Sequence, residues 1–263
     1  MFARGWRGAA LAGVVALAAP AWAAIHTEPV EYRDGATVLE GYLAYDDALA
    51  TPRPGVLVVH EWKGLNDYAK RRASQLAELG YVAFAIDMYG KGVLAKNHDE
   101  AATLSGAFRN DRQLMRMRAK AGLDVLRRRP QTDASRLAAI GYCFGGMTVL
   151  ELARSGEPLR AVATFHGGLS TPHPEDARQI TAKLLIQHGA DDHFVTADEV
   201  AAFEQEMHAA GVDYKFIKYP GATHSFTVPE AGSDPSTGMA YNAEADRQSR
   251  AALQQFLRET LGA

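Results

Sequence analysis

"IGYCFGGM", residues 140–147, holds the only cysteine of the chain, Cys143, between Gly141 and Gly145. The stretch ends the apolar run "LAAIGYC" (137–143) and leads into a segment with helical spacing, 145–154. A residue at such a strand-to-helix junction projects outward only if its backbone is bent sharply, and small residues two positions either side keep its neighbours from clashing. The pattern G-x-C-x-G therefore reads either as a nucleophile held on a turn or as a small buried hydrophobe. A second cysteine is absent, so an intramolecular disulfide does not explain it.

Working outward, "GVLVVH" (55–60), "YVAFAID" (81–87), "AVATFHG" (161–167) and "AKLLIQHG" (182–189) are near-continuous apolar runs. Strands buried on both faces look like this. Helical spacing appears between them at 67–79, in one long stretch at about 99–128, and at 145–154, 197–210 and 243–261. Before the first run, "VEYRDGATVLEGYLAYDD" (30–47) alternates around Asp34-Gly35 as an antiparallel pair with a tight turn. The fold class predicted is α/β: a mostly parallel, doubly wound sheet with helices on both faces. Ligands of such sheets sit beyond the carboxyl ends of the strands.

A cysteine nucleophile needs a base, and the base needs an orienting carboxylate. Downstream, "IQHGADDHFV" offers Asp191 and Asp192 just past a strand, and "YPGATHSF" offers His224, with His188 and His193 as competitors for the base. The order nucleophile, acid, histidine is that of the nucleophile-elbow fold. Backbone N–H groups of Phe144 and of Trp62, the latter in the loop after strand 55–60, are the expected oxyanion donors. His60-Glu61 is not a zinc helix, because H-E-x-x-H fails at Gly64, and no metal is expected. Tyr89, Lys91, His166 and Phe226 lie near strand ends and are candidate substrate contacts. Asn66 or Asp67 reads as a helix cap.

The 263 residues, 47% apolar and 22% charged with a formal charge of −3, describe an ordinary globular chain. No basic block interleaved with aromatics points to nucleic acid; Arg127, Arg128 and Arg129 suit a helix C-terminus. Residues 1–23 read as a secretory signal peptide: Arg4 and Arg7, an apolar core at 9–20 too short to span a bilayer, and Ala21-Trp22-Ala23 before the cleavage point. A single domain, 24–263, is expected, exported to the periplasm or secreted, monomeric, without a membrane anchor after cleavage.

Taken together, "HEWKGLNDY", "GYVAFAIDMYGKG", "GYCFGG", "HGADDHFV" and "HSF" resemble the dienelactone hydrolase family of α/β-hydrolases, over roughly 30–261. The resemblance implies a Cys143-His224-Asp192 triad, a small ester or lactone as substrate and no cofactor. It also implies that Glu61 contacts the resting cysteine and switches it to a reactive state. Family members hold a substrate carboxylate with arginines after the "D-x-Y" stretch and after the catalytic histidine; here Lys91 and Val228 stand in those regions. Lysine is a point charge without a bidentate fork, so the departures point away from dienelactone itself. A general carboxylesterase, a short acyl or peptide hydrolase, and a non-hydrolytic thiol sensor or binding protein are the alternatives.

Overall fold

The computed structural model describes Met1 and residues 25–48 and 50–262; the signal-peptide reading of 1–23 lies outside the described residues apart from Met1. Among the described residues eight strands form one sheet: β1 (Ile25–Asp34), β2 (Thr37–Asp46), β3 (Arg53–Val59), β4 (Val82–Ile86), β5 (Thr132–Tyr142), β6 (Ala161–Phe165), β7 (Lys183–Gly189) and β8 (Tyr214–Tyr219). Their spatial order is β1-β2-β4-β3-β5-β6-β7-β8. β1 and β2 are the antiparallel pair, turning at Gly35 with φ 56°, and β2 runs antiparallel to β4. From β4 to β8 every pairing is parallel.

The continuous apolar runs are explained by two cores. Val56 and Val58 of β3 face one side, against Tyr68, Ala73 and Leu76 of α1 (Asp67–Ala77) and Leu253 and Leu257 of α6 (Ala243–Leu261). Leu57 and Val59 face the other, packing with α3 (Arg112–Arg127), α4 (Phe144–Arg154) and α5 (Ala197–Ala210). Alternate residues go to opposite faces, but both faces are dry, so polar residues find no place in the pattern. Asn66 caps α1, its side chain accepting from Ala69 N–H.

The long helix expected at 99–128 is two helices. α2 (His98–Asn110) ends before Asp111, whose φ of −128° and ψ of 89° leave the helical region and whose carboxylate caps Leu114 N–H at 2.9 Å. An Asp side chain that bonds the backbone competes with helix continuation, and here it wins. The break turns Arg109 and Arg112 toward the sheet's carboxyl end.

At the β5–α4 junction the fold tolerates only glycine. A Cβ on Gly141 would sit 2.0 Å from the Gly145 carbonyl oxygen, and one on Gly145 would sit 2.3 Å from the Val59 oxygen. These contacts are backbone to backbone, so no side chain can give way. Gly141→Ala is therefore expected to push α4 off the sheet and cost at least about 2 kcal/mol of stability, read as a lowered thermal midpoint; an unchanged midpoint would contradict the packing described here.

Candidate active site

Cys143 closes β5 and stands at the N-terminus of α4 with φ 52° and ψ −114°. Its N–H donates to the Phe165 carbonyl at 3.0 Å, and its own carbonyl accepts from Gly146 N–H at 3.0 Å. Sγ lies 3.1 Å from Nε2 of His224, and Nδ1 of His224 lies 2.8 Å from Oδ2 of Asp192. The other Asp192 oxygen accepts from Phe194 N–H at 2.9 Å, which fixes the carboxylate. All three side chains are buried. Asp192, from the turn after β7, is thus the carboxylate that meets His224; His188 instead packs edge-on against Phe216.

The charge state of His224 follows from these neighbours. Burial pulls its pKa down, but charge on the Cys143 sulfur and the Asp192 carboxylate outweigh it and lift the value to about 10. An imidazolium beside sulfur, held by a carboxylate behind it, is an arrangement that can deliver a proton to a leaving group.

Phe144 is the first residue of α4, where helix N–H groups have no intrahelical acceptor. Neither its N–H nor that of Trp62 has an acceptor among the described residues. The Trp62 peptide is fixed from both sides. Its carbonyl accepts from the Tyr89 hydroxyl at 2.8 Å. The preceding Glu61 carbonyl bonds Nδ1 of His60, whose Nε2 accepts from Met88 N–H at 3.2 Å, so the proton of this neutral ring is on Nδ1.

Glu61 is buried, and desolvation raises its pKa, although the His224 charge and the Ser225 hydrogen bond oppose it. Its Oε1 accepts from Ser225 Oγ at 3.3 Å, and no hydrogen bond joins it to Cys143 among the described residues. The contact expected of a switch is therefore not the one observed.

The substrate contacts expected from strand ends are placed differently. Lys91 is paired with Glu31 at 3.0 Å and Glu40 at 2.9 Å on the far edge of the sheet, so its ammonium is already neutralised away from Cys143. His166 and Phe226 are completely enclosed behind His224, with His166 Nε2 on Thr227 Oγ1 at 2.8 Å and its ring 5.2 Å from that of Phe226. Tyr89 packs against Phe144 and supports the Trp62 loop rather than lining the cavity.

The cavity over Cys143 measures about 340 Å³. Trp62 and Phe144 line it, and its remaining wall includes Arg109, Arg112, Met147, Phe194, Glu199 and Met239. The arginines were hidden by reading 99–128 as one helix; "RNDR" at 109–112, with two cap-forming residues between two cations, is the signal that marks the break. Phe194, more than half exposed at the rim, packs 5.3 Å from His224. Among the described residues no cluster of His, Cys, Asp and Glu fits a metal ion, and no helix is long and apolar enough to cross a membrane.

A family model described as the Dienelactone hydrolase family matches residues 39–261. A solved protein called m3DLH is 40% identical, with a TM-score of 0.87 over 90% of this chain and 99% of its own. A dienelactone hydrolase-like promiscuous phosphotriesterase from metagenomic libraries is 41% identical, with a TM-score of 0.85 over the same shares. Protein usf of Aquifex pyrophilus is 31% identical over 204 residues, 75% of this chain and 85% of its own length. With an α/β-hydrolase sheet and a family match over most of its length, the chain belongs to the dienelactone hydrolase family and is a hydrolase of lactone or ester bonds.

Proposed function

We propose that the protein hydrolyses a small ester or lactone through Cys143 as nucleophile, His224 as acid and base, and Asp192 as the group that orients His224. The observation that carries this reading is the continuous relay from Sγ to Nε2 (3.1 Å) and from Nδ1 to Oδ2 (2.8 Å) beneath a cavity. Sulfur attacks the carbonyl carbon, and the carbonyl electron pair moves to oxygen, which the N–H groups of Trp62 and Phe144 receive. The tetrahedral species collapses, the C–O bond breaks, and His224 Nε2 gives its proton to the departing alkoxide. Water then attacks the thioester with His224 as base, and Cys143 leaves as thiolate with the acid product.

Glu61 enters the proposal as the carboxyl group nearest this machinery, through Ser225, the residue after His224. A switch at Cys143 would require it to exchange that bond for one to sulfur. The proposal also carries the reading of residues 1–23 as a leader, which makes the mature enzyme a periplasmic or secreted protein, and treats that enzyme as a monomer.

Cys143→Ala is expected to lower kcat/KM on activated aryl esters at least about 10³-fold, and Asp192→Asn on the order of 10²–10⁴-fold, since each removes one member of a unit that acts together. Steady-state kinetics on p-nitrophenyl esters checks both. Equal activity of Cys143→Ala and wild type would overturn the choice of nucleophile.

The raised value of His224 gives a second test. Its folded value, about 10, lies above the ordinary 6.5, so the fold favours the protonated ring. That contribution to stability is complete below about 6.5 and is lost as pH rises through about 10. In Cys143→Ala the sulfur charge is gone while burial remains, so the His224 titration followed by NMR should move to lower pH than in wild type. No downward movement would mean that sulfur does not hold the imidazolium.

A further inference from the structure

Four well-enclosed arginines of this protein each have a carboxylate oxygen close by: Arg72 on Asp246 at 2.6 Å, Arg116 on Asp176 at 2.6 Å, Arg118 on Asp34 at 2.7 Å and Arg154 on Glu206 at 2.7 Å. Arg112 differs. It is half-buried in the wall of the catalytic cavity, yet its guanidinium rests on the Met147 sulfur, on Met115 Sδ at 3.9 Å and near the Ser170 carbonyl at 3.5 Å, all uncharged. Its Nε is buried without any hydrogen-bond acceptor among the described residues. A second guanidinium, Arg109, lines the same cavity from the end of α2 and forms no ion pair among the described residues.

A cation enclosed without an anion costs free energy unless something supplies one. Position worsens the cost for Arg112, the first residue of α3, where the helix end is itself positive. Arg109 suits the C-terminus of its own helix, but its charge adds to that facing Arg112. Burial, reinforced by Arg154 and Arg109 and opposed by the more distant charges of Glu151 and Glu199, lowers the pKa of Arg112. Glu199 also borders the cavity, but one of its oxygens is taken by the N–H groups of Leu169 and Ser170 at 2.6 and 3.0 Å, and it lies outside ion-pair distance of both arginines.

We infer that Arg112 and Arg109 bind an anionic group of the substrate, a carboxylate joined to the scissile carbonyl through a flexible linker. The inference rests on the hydrolase reading of this cavity. Distance sets the linker. Met147, on which Arg112 rests, follows Cys143 by one helical turn, about 5 Å along α4. The anion therefore sits well beyond the carbonyl. There the cavity meets an open groove of about 1050 Å³ that shares Arg109, Arg112 and Ser170 with it. This leaves room for a chain between the two charges. The rim at Phe194 and Met239 offers an apolar surface to the leaving group.

The test compares p-nitrophenyl adipate monoester with p-nitrophenyl hexanoate, which share a leaving group and chain length and differ in the terminal carboxylate. Wild type is expected to favour the adipate ester at least about 10-fold in kcat/KM, mainly through KM, the scale of a charge-assisted hydrogen bond. That ratio should fall toward one in Arg112→Gln and Arg109→Gln and lie between in Arg112→Lys, which keeps the charge and loses the fork. A wild-type ratio at or below one, or a ratio that Arg112→Gln leaves unaltered, overturns the inference while leaving the hydrolase reading intact. If neither ester is cleaved, the hydrolase reading falls, and binding alone decides: adipate must slow iodoacetamide labelling of Cys143 in wild type and not in Arg112→Gln, and absence of protection overturns the clamp.

Discussion

Everything at this site hangs on Cys143 occupying a backbone conformation that an L-residue with a side chain resists. Its φ of 52° and ψ of −114° lie where such residues cost of order 1–3 kcal/mol. β5 holds one side of that turn and α4 the other, with the Cys143 N–H bonded to β6 and its carbonyl to the first turn of the helix. The bend lifts Sγ off the sheet toward His224 and leaves the Phe144 N–H pointing out of the helix start. Among the described residues, the two other non-glycine residues with positive φ are His166 and Ser225, one behind His224 and one beside it. Positive-φ strain at non-glycine positions among the described residues is thus gathered around a single imidazole.

The 3.1 Å contact between Sγ and His224 persists only if the histidine is held in place. His224 comes from a loop, so it needs support from elsewhere in the fold. Thr227, three residues on, provides the attachment: its hydroxyl meets the Tyr68 hydroxyl at 2.6 Å and His166 Nε2 at 2.8 Å, and its carbonyl accepts from Arg72 at 2.7 Å. Arg72 also pairs with Asp246 and lies over the rings of Tyr68 and Tyr142, at 5.1 and 5.7 Å. Tyr142 immediately precedes Cys143. One buried guanidinium thus contacts the elbow strand, the first helix, the last helix and the His224 loop, and removing one partner of such a pair typically costs about 3–5 kcal/mol.

How legible this was in the sequence depended on how local each cause is. The strands could be read because both faces of the sheet are dry, so β3 to β7 carry unbroken apolar runs whichever way they pack. The elbow could be read because Gly141 and Gly145 answer a short-range backbone collision. Trp62 and Phe144 could be placed beside the cavity because one follows a strand end and the other opens a helix, positions set by the backbone regardless of side chain. Long-range facts were not legible. Lys91 looked available because nothing local shows that Glu31 and Glu40, on the antiparallel hairpin, reach it first. His166 and Phe226 lie at strand ends, as the reading supposed, but point behind His224 rather than above it. The α2–α3 break was hidden because apolar spacing continues across Asp111, and only its capping chemistry distinguishes a bend from a continuous helix.

Charge distribution ties these placements together. Sulfur and the Asp192 carboxylate flank His224, so one end of the site carries a carboxylate held close to the ring. Glu61 lies close by, where burial works against its ionisation and the Ser225 hydroxyl donates to its Oε1. At the other end of the cavity stand two guanidiniums with no carboxylate within ion-pair distance among the described residues. The site is therefore polarised, with the Asp192 carboxylate at one end and two guanidiniums at the α2–α3 break. An anionic substituent in the reverse orientation would approach the Asp192 end instead of the guanidiniums and be repelled. The polarity that aligns such a substrate also requires its carbonyl and its charge to be separated, because a carboxylate adjacent to the scissile bond would feel the relay before it felt Arg112.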